Sequence, residues 1–248
     1  MPANFVFLHG GGQGGWVWAE TIAALRTEAR ASLGLTLVLD APGCGVKRGR
    51  DTSALSLQDV ASELLEDITR ATRDPVVLVG HSQAGQAMSL MQGARPDLFQ
   101  RLIYVSCSIP LPGQTSMQLM GNSLHGTNPA EVGWPVDPAT TSVEQRFSLM
   151  FCNDMDANQK AAFLARLGQD QWPKSSYTYS QWRYDRLNQT PATFIVCLRD
   201  LSLPADWQEV FADRFQAKRR VTIDAGHQVM NTRPRELANI LLAEAAMN

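Results

Sequence analysis

Six short runs of apolar and β-branched residues, none with polar alternation, constrain the fold of this 248-residue chain most strongly. Strands of this kind are covered on both faces, because a strand with one wet face alternates apolar and polar residues. Segments with helical periodicity separate several of the runs, which favours a parallel, doubly wound sheet flanked by helices. The predicted strands cover residues 5–8, 35–39, 76–79, 102–105, 193–198 and 221–223.

Helix-start signals agree with this α/β interpretation. Ser56 and Asp59 form a capping-box pattern, in which the serine hydroxyl and the aspartate carboxylate satisfy each other's backbone N–H groups. Pro234 stands where the first turn of the last helix begins, a position that tolerates proline. The predicted helices of the main domain cover residues 16–29, 56–72, 82–93, 205–215 and 235–246.

The alternation of strand and helix fails between about residues 107 and 190, where Pro, Gly, Asn and Ser interrupt short helical pieces at 143–151 and 158–167. A gap of this length is too long for a plain loop, so we expect an inserted, mainly helical cap. The predicted division is an α/β core of residues 1–106 and 191–248, with a cap of residues 107–190. We expect a pocket lined by Gly10 of the core and by Trp134, Phe147, Phe151 and Trp182 of the cap.

Composition narrows the partners. A formal net charge of −2 gives no electrostatic reason to expect nucleic acid or an anionic membrane, so a small, uncharged ligand fits better. The four cysteines lack the paired short spacing of a zinc or redox site, and we expect them to be reduced. We find no signal-peptide pattern and no run near the roughly 20 apolar residues of a membrane helix. We therefore expect a cytoplasmic protein; a homodimer is compatible with the sequence.

The segment Gly80-His81-Ser82-Gln83-Ala84-Gly85 directly follows the third apolar run and leads into good helix formers. This is the pattern of a nucleophile elbow, a serine on a sharp strand-to-helix turn with small residues two positions before and after it. Such a turn presents the serine outward, with a helix N-terminus behind it and the next backbone N–H free to stabilise an oxyanion. Ser82 is therefore the candidate nucleophile.

A serine hydroxyl needs a base within hydrogen-bond reach and an acid that orients the base. His227 follows the last predicted strand, and in serine hydrolases built on an α/β sheet the catalytic base lies in the loop after that strand. A histidine in such a loop could instead cap the next helix. Asp200, after the preceding strand, is the predicted acid. Asp224 and Asp206 are the alternative acids. Asp224 lies three residues before His227, and a carboxylate so close in sequence more often shapes the turn than orients the imidazole. Asp206 fits the first turn of a helix, where a carboxylate interacts favourably with the helix dipole.

The glycines of His9-Gly10-Gly11-Gly12 follow the first strand and let the backbone approach a substrate carbonyl closely. The backbone N–H groups of Gly11 and Gln83 are the predicted oxyanion donors. A glycine-rich loop could instead hold phosphate, but this one lacks the lysine and Ser/Thr of a P-loop. Asp40, the candidate for a ribose contact in a dinucleotide site, is followed by a turn.

These motifs, together with Gln13-Gly14-Gly15-Trp16, Cys107-Ser108-Ile109-Pro110, Pro204 after Asp200, and Gly226 before His227, resemble the α/β-hydrolase fold. Within that fold the chain resembles the plant methylesterase and hydroxynitrile lyase family and its bacterial relatives, over essentially its whole length. The resemblance implies a triad of Ser82, Asp200 and His227, an oxyanion hole from Gly11 and Gln83, and a helical cap over a largely apolar pocket. It implies no metal and no cofactor.

Two positions separate the branches of that family. The lyases that this chain resembles have threonine at the position of Gly10 and lysine after the catalytic histidine, where this chain has Gln228. The lysine ammonium stabilises departing cyanide, and an amide cannot supply that charge. Gln83 and Ala84 replace the more usual Leu-Gly of the elbow, and the polar side chain of Gln83 could select a polar group on the substrate.

The sequence thus predicts a serine carboxylic-ester hydrolase that acts on a small, largely apolar ester through an acyl-enzyme intermediate. Two alternatives stay open, because a fold does not fix a function. One is hydroxynitrile-lyase-like or cofactor-free oxygenase activity on the same fold. The other is a ligand-binding receptor without useful turnover.

Overall fold

A parallel six-stranded sheet forms the centre of the computed structural model, which describes residues 2–29 and 32–247. The strand order is β2-β1-β3-β4-β5-β6, and all neighbouring strands are parallel. The α/β prediction of a doubly wound sheet of about six strands is confirmed. The strands are β1 Ala3–Leu8, β2 Leu33–Leu39, β3 Val76–His81, β4 Phe99–Val105, β5 Ala192–Cys197 and β6 Arg219–Ile223.

The strand order creates a crevice at one edge of the sheet. The chain passes from β1 outward to β2 and then crosses to the opposite side of β1 to form β3. The loops that leave the carboxyl ends of β1 and β3 therefore run in different directions, and ligands of open α/β sheets bind where such loops diverge. The glycine-rich loop follows β1 and Ser82 follows β3, so both predicted parts of the site lie at this point.

Helices cover both faces of the sheet because successive strand side chains point in opposite directions. In β1, Phe5 and Phe7 pack into the cluster that contains the buried sides of α1 and α10, whereas Val6 and Leu8 pack into the cluster with α2 and α3. All four side chains are fully buried. The helices are α1 Ala19–Ala29, α2 Leu57–Ala71, α3 Ala84–Ala94, α4 Ser116–Met120, α5 Val143–Cys152, α6 Ala157–Leu164, α7 Ser175–Thr178, α8 Ala205–Arg214, α9 Val229–Thr232 and α10 Pro234–Ala245.

The structure differs from the predicted helices at several ends. A turn of 3-10 helix, Gly15–Trp18, precedes α1, so the α-helix begins at Ala19 instead of residue 16. Helix α6 ends at Leu164, three residues before the predicted end. The short helices α4, α7 and α9 were not predicted, because four or five residues carry too little periodicity. The predicted capping box is present: Asp59 N–H donates to Ser56 Oγ over 3.1 Å.

The segment between β4 and β5 contains α4 to α7 and is attached through polar contacts to the loops that follow β1 and β2. Asp170, fully buried, accepts hydrogen bonds from Trp16 Nε1 at 2.9 Å, from Gly45 N–H at 2.8 Å and from Arg48 Nε at 2.9 Å. Trp172 Nε1 donates to the Gly10 carbonyl over 3.1 Å. The division into a core and a cap at residues 107 and 190 stays a prediction, and we refer to residues 106–191 below as the insertion.

Two further observations concern the part of the chain that the structure describes. None of its helices is long and apolar enough to cross a bilayer. The four cysteines are buried and form no disulfide with one another.

Glycines at the two ends of α3 provide a test of the packing behind the serine turn. A Cβ on Gly85 would lie 2.6 Å from Phe215 Cζ and 2.8 Å from Cys107 Cβ, whereas one on Gly93 would meet nothing within 4 Å. We expect Gly85→Ala to lower the free energy of unfolding by ~1–3 kcal/mol through overpacking. Gly93→Ala should raise it by ~0.4–1 kcal/mol, because alanine loses less backbone entropy in a helix. Urea unfolding of the two variants would measure this, and effects of the same sign would contradict it.

Candidate active site

Ser82 lies on a strained turn between β3 and α3. Its φ is +55°, in the left-handed region that serine seldom adopts. The backbone fixes this turn from both sides, since Ser82 N–H donates to the Val105 carbonyl over 3.1 Å and Ser108 N–H donates to the Ser82 carbonyl over 3.2 Å. Gly80 is required two residues earlier, because a Cβ there would overlap Met88 Sδ. The turn therefore has the geometry of the predicted elbow, and the serine side chain borders a cavity.

Ser82, His227 and Asp200 form a continuous chain of hydrogen bonds. His227 Nε2 lies 3.1 Å from Ser82 Oγ, and His227 Nδ1 lies 2.6 Å from Asp200 Oδ2. The imidazole and the carboxylate side chains are both fully buried. With the proton on Nδ1 facing the carboxylate, Nε2 is left to accept the serine proton. The structure thus brings together the three residues that the sequence predicts as nucleophile, base and acid.

The competing aspartates lie elsewhere. Asp224 is 73% exposed and pairs with Arg199 Nε at 2.8 Å. Asp206 accepts from the backbone N–H of Trp207, in the first turn of α8. Asp40 accepts from the N–H groups of Gly15 and Val46 and so fixes the loops around it. Each of these carboxylates has a local structural role that accounts for its position.

The Asp200 carboxylate is fixed by more donors than His227 alone. Its Oδ1 accepts from the N–H groups of Ser202 at 2.6 Å and Leu203 at 2.9 Å. Its Oδ2 accepts from Ser106 Oγ at 2.6 Å, and that hydroxyl lies 3.5 Å from His227 Nδ1. Ser106 follows β4 directly and has φ +41°. The sequence analysis missed Ser106; its position at the carboxyl end of a predicted strand was the available signal.

His81 contacts His227, the predicted base, through a hydrogen bond and through ring packing. Its Nε2 donates to the carbonyl of His227 over 2.9 Å, and the two ring centroids are 4.5 Å apart. Burial, followed by the charge of His227, holds the pKa of His81 well below its usual value of 6.5. The ring is therefore neutral at physiological pH and carries the proton that its hydrogen bond to His227 requires.

The loop after β1 brings Gly11 to the cavity wall next to the serine turn. His9 fixes this loop: its Nδ1 donates to the Gly10 carbonyl over 2.8 Å, and its Nε2 accepts from Ala41 N–H at 3.2 Å. Gly11 and Gln83 both line the cavity beside Ser82. Among the residues that the structure describes, none accepts a hydrogen bond from the backbone N–H of either one. These N–H groups are thus available to a substrate oxygen.

The cavity has a volume of about 540 Å³ and lies between the serine turn and the insertion. Three of the five predicted pocket residues, Trp134, Phe147 and Phe151, line it. Its other apolar side chains are Met117, Leu119, Met120, Met150, Leu167 and Leu203, and its polar side chains include Gln83, Gln86, Ser108, Ser116, Asn122, Tyr177 and Ser202. The helix α4 contribution was not predicted, because α4 itself was not.

Among the described residues of the cavity wall, Gly10 and Trp182 are missing. Gly10 packs behind the serine turn, where a Cβ would lie 3.0 Å from both His81 Nδ1 and Ser82 Cβ. Trp182 donates through Nε1 to the Gln114 carbonyl at 2.8 Å and packs edge-on against Tyr179. The prediction that these two residues line the pocket therefore does not fit the structure. For Trp182 the reason is that the presence of an aromatic residue in the insertion does not determine the direction of its side chain.

Comparison with known proteins agrees with the fold. Residues 5–240 match the family model described as the Alpha/beta hydrolase family. This match covers most of the chain, and the protein belongs to that family. The resemblance inferred from the sequence motifs is therefore confirmed at the level of the family.

Among its relatives, a probable esterase of Oryza sativa subsp. indica is 30% identical over 112 residues, which is 45% of this chain and 41% of the rice protein. Polyneuridine aldehyde esterase of Rauvolfia serpentina is 25% identical over 254 residues, covering 96% of this chain and 94% of that protein. The match thus spans about two fifths of the rice protein and nearly all of the Rauvolfia protein. The names of both agree with the predicted esterase class.

Solved structures show the same fold. The crystal structure of polyneuridine aldehyde esterase has a TM-score of 0.74 at 19% identity, covering 99% of this chain and 100% of that one. A pyrethroid hydrolase from Sphingobium faniae has a TM-score of 0.75 at 18% identity, covering 99% and 98%. At these identities the likeness establishes the fold, and the substrates of those enzymes remain properties of those enzymes.

The buried His81 predicts a pH dependence of stability. Its pKa is lowered in the folded protein, so below about pH 6.5 the unfolded chain binds a proton that the folded chain does not. The free energy of unfolding should therefore decrease as the pH is lowered through that range, by up to ~1.4 kcal/mol per pH unit from this group. Urea unfolding between pH 7.5 and 5.5 should give a shallower dependence in His81→Gln and His81→Asn than in the unmodified protein. Equal slopes would exclude His81 as a contributor.

Proposed function

We propose that the protein is a serine carboxylic-ester hydrolase that acts on a small, largely apolar ester through an acyl-enzyme intermediate. The observation that carries the proposal is the buried hydrogen-bonded chain from Ser82 Oγ to His227 at 3.1 Å and from His227 to Asp200 at 2.6 Å. It opens onto a cavity with a mainly apolar wall, large enough for a small molecule. The proposal includes the cytoplasmic location expected from the sequence.

In the proposed mechanism, Ser82 Oγ attacks the ester carbonyl carbon while His227 Nε2 takes the hydroxyl proton. The negative charge on the carbonyl oxygen is stabilised by the backbone N–H groups of Gly11 and Gln83. Asp200 accepts the hydrogen bond from Nδ1 and stabilises the imidazolium. When the C–O bond to the alcohol breaks, His227 returns the proton to the leaving alkoxide oxygen.

The resulting acyl-enzyme is hydrolysed by the same groups in the reverse direction. A water molecule loses a proton to His227 Nε2 as its oxygen attacks the acyl carbon, and the bond to Ser82 Oγ breaks as that oxygen regains the proton. The products are a carboxylic acid and the free enzyme, so atoms and charges balance without another reactant.

Relatives of the chain support this reaction class, since they include proteins named esterase and methylesterase. The lyase alternative is less favoured because Gln228, the residue after His227, is fully buried and uncharged. No lysine is found among the described residues that line the cavity. Neither residue 228 nor the described cavity wall therefore supplies an ammonium that could stabilise departing cyanide.

Removal of the serine hydroxyl tests the mechanism. We expect Ser82→Ala to lower kcat for p-nitrophenyl butyrate by at least ~10³-fold, because the remaining residues cannot form the acyl-enzyme. Ser89→Ala, in the helix that follows Ser82, is the control: among the described residues Ser89 Oγ donates to the Gln86 carbonyl alone, and Ser89 does not border the cavity. A fluorophosphonate should label Ser82 covalently, as mass spectrometry would show.

Each alternative has its own outcome in these assays. Ester turnover that survives Ser82→Ala would exclude the serine mechanism. Cyanohydrin cleavage without ester turnover would favour a lyase. Oxygen-dependent conversion of a heteroaromatic substrate, again without ester turnover, would favour the oxygenase. Failure of the unmodified protein both to label and to turn over esters would favour the receptor.

Ser106 should act as a positioning residue for this reaction. Its hydroxyl helps to fix the carboxylate oxygen that faces His227, so its loss should lower kcat by about tenfold with little change in KM. We compare Ser106→Ala with Ser106→Gly, because glycine also lacks the hydroxyl but adopts φ +41° without strain. Steady-state kinetics should show the same loss in both. Recovery of kcat in the glycine variant alone would assign the effect to backbone strain.

A further inference from the structure

Helix α5 of the insertion ends beside the loop that carries His227. Just beyond the helix, Asp154 Oδ2 accepts hydrogen bonds from Gly226 N–H at 2.8 Å and from Thr232 Oγ1 at 2.9 Å. Gly226 directly precedes His227, and Thr232 is the last residue of α9, the short helix that follows it. One carboxylate oxygen thus holds both ends of the short segment that contains the imidazole.

The glycine before the predicted base is needed for this contact. A Cβ on Gly226 would lie 2.6 Å from Asp154 Oδ1 and would overlap Asn153 Oδ1. Any other residue at this position would push the two side chains away from the backbone N–H. The Gly-His pair of the sequence therefore lets the insertion approach the chain directly before His227.

The Asp154 carboxylate is itself firmly held. Its side chain is only 2% exposed, and a carboxylate removed from water is tolerated where hydrogen bonds and opposite charges replace its hydration. Besides its two hydrogen bonds, Oδ2 lies 3.9 Å from Arg199 Nη2 and 4.0 Å from Arg233 Nη1. Asp154 does not line the cavity, so its contacts are to the protein and not to a substrate.

The same turn of the insertion reaches the other parts of the site. Asn153 Nδ2 donates to the Arg199 carbonyl over 2.7 Å, and Arg199 directly precedes Asp200. Within α5, Phe151 lines the cavity, and its ring centroid is 5.4 Å from that of His227. The end of α5 therefore contacts the loop of the acid, the loop of the base and the cavity at once.

We propose that Asp154 is a positioning residue: by fixing the segment on either side of the imidazole, it keeps His227 Nε2 within reach of Ser82 Oγ. That distance is 3.1 Å, and proton transfer requires it to stay within hydrogen-bond range. The inference rests on the proposed function, because Asp154 acts only through the proton transfer between Ser82 and His227. The insertion then aligns the base as well as covering the cavity.

Removal of the carboxylate tests this role. We expect Asp154→Ala to lower kcat for p-nitrophenyl butyrate by about 10- to 100-fold, because a small displacement of a catalytic group is costly. The inhibition constant of 4-nitrobutyranilide, the amide analogue of this ester, should stay within about twofold, since Asp154 is remote from the cavity wall. Asp154→Asn keeps an oxygen that can accept both hydrogen bonds, so its kcat should stay within about threefold of the unmodified protein.

Asp156 provides a matched control in the same segment. Its Oδ1 accepts from the N–H groups of Asn158 and Gln159 and so caps α6. Asp156→Ala should destabilise the insertion through loss of the cap but leave kcat within about twofold. Circular dichroism at the assay temperature would show that each variant is folded. If Asp154→Ala is insoluble, the isosteric Thr232→Val removes one of the two hydrogen bonds and should lower kcat by about fivefold.

The outcomes separate this inference from the proposed function. An unchanged kcat in Asp154→Ala, or in Thr232→Val where that variant replaces it, would overturn the positioning role and leave a Ser82-dependent hydrolase intact. An equal fall in Asp156→Ala, or a weaker inhibition constant in parallel with kcat, would also overturn it, since the whole insertion would then be disturbed. Equal losses in Asp154→Asn and Asp154→Ala would contradict its hydrogen-bond basis. If the unmodified protein shows no Ser82-dependent hydrolysis, the proposed function fails and this inference fails with it.

Discussion

The turn at Ser82 is the constraint on which the rest of the site depends. A serine at φ +55° costs of order 1–3 kcal/mol, and it persists only where its surroundings enforce it. Here β3, whose six residues are all buried, precedes the turn, and the packed helix α3 follows it, so the turn is held on both sides. Gly80 makes room for Met88, and Gly85 makes room for Phe215, so the helix can begin directly behind the serine. A rigid sheet thus holds one hydroxyl in a fixed direction.

Asp200 performs the corresponding task for the base. Its carboxylate is buried, and a buried charge is tolerated only when hydrogen bonds replace its hydration. Two backbone N–H groups and Ser106 supply three of these bonds, which leaves one well-defined direction for His227. The donors come from the ends of β4 and β5, and the histidine comes from the loop after β6. The parallel sheet therefore assembles the site simply by ending its strands at a common edge.

The sequence predicted those parts of the molecule that local chemistry determines. Apolar runs, a small-residue turn around Ser82 and the chain order of Asp200 and His227 can all be recognised without a structure, and the sheet agrees with them. Side-chain direction in the insertion could not be predicted, because it depends on long-range packing. Trp182 faces Gln114 instead of the cavity, and α4 contributes to the wall although five residues are too few to show a helical period. Ser106 escaped notice for the same reason: its partner is 94 residues away.

The insertion determines the shape and the polarity of the cavity, and its anchoring explains why that shape is well defined. Burial alone would raise the pKa of Asp170, but hydrogen bonds from Trp16, Gly45 and Arg48 outweigh burial and lower it. The carboxylate is therefore charged and ties the insertion to two loops of the sheet. Tyr177, a few residues further along the insertion, is thereby held over Gly11, next to the Gln83 amide. The contacts of the buried carboxylate and the cavity wall above Gly11 therefore belong to one short stretch of the insertion, residues 170–177, so the sheet loops that bind Asp170 also help to position that wall.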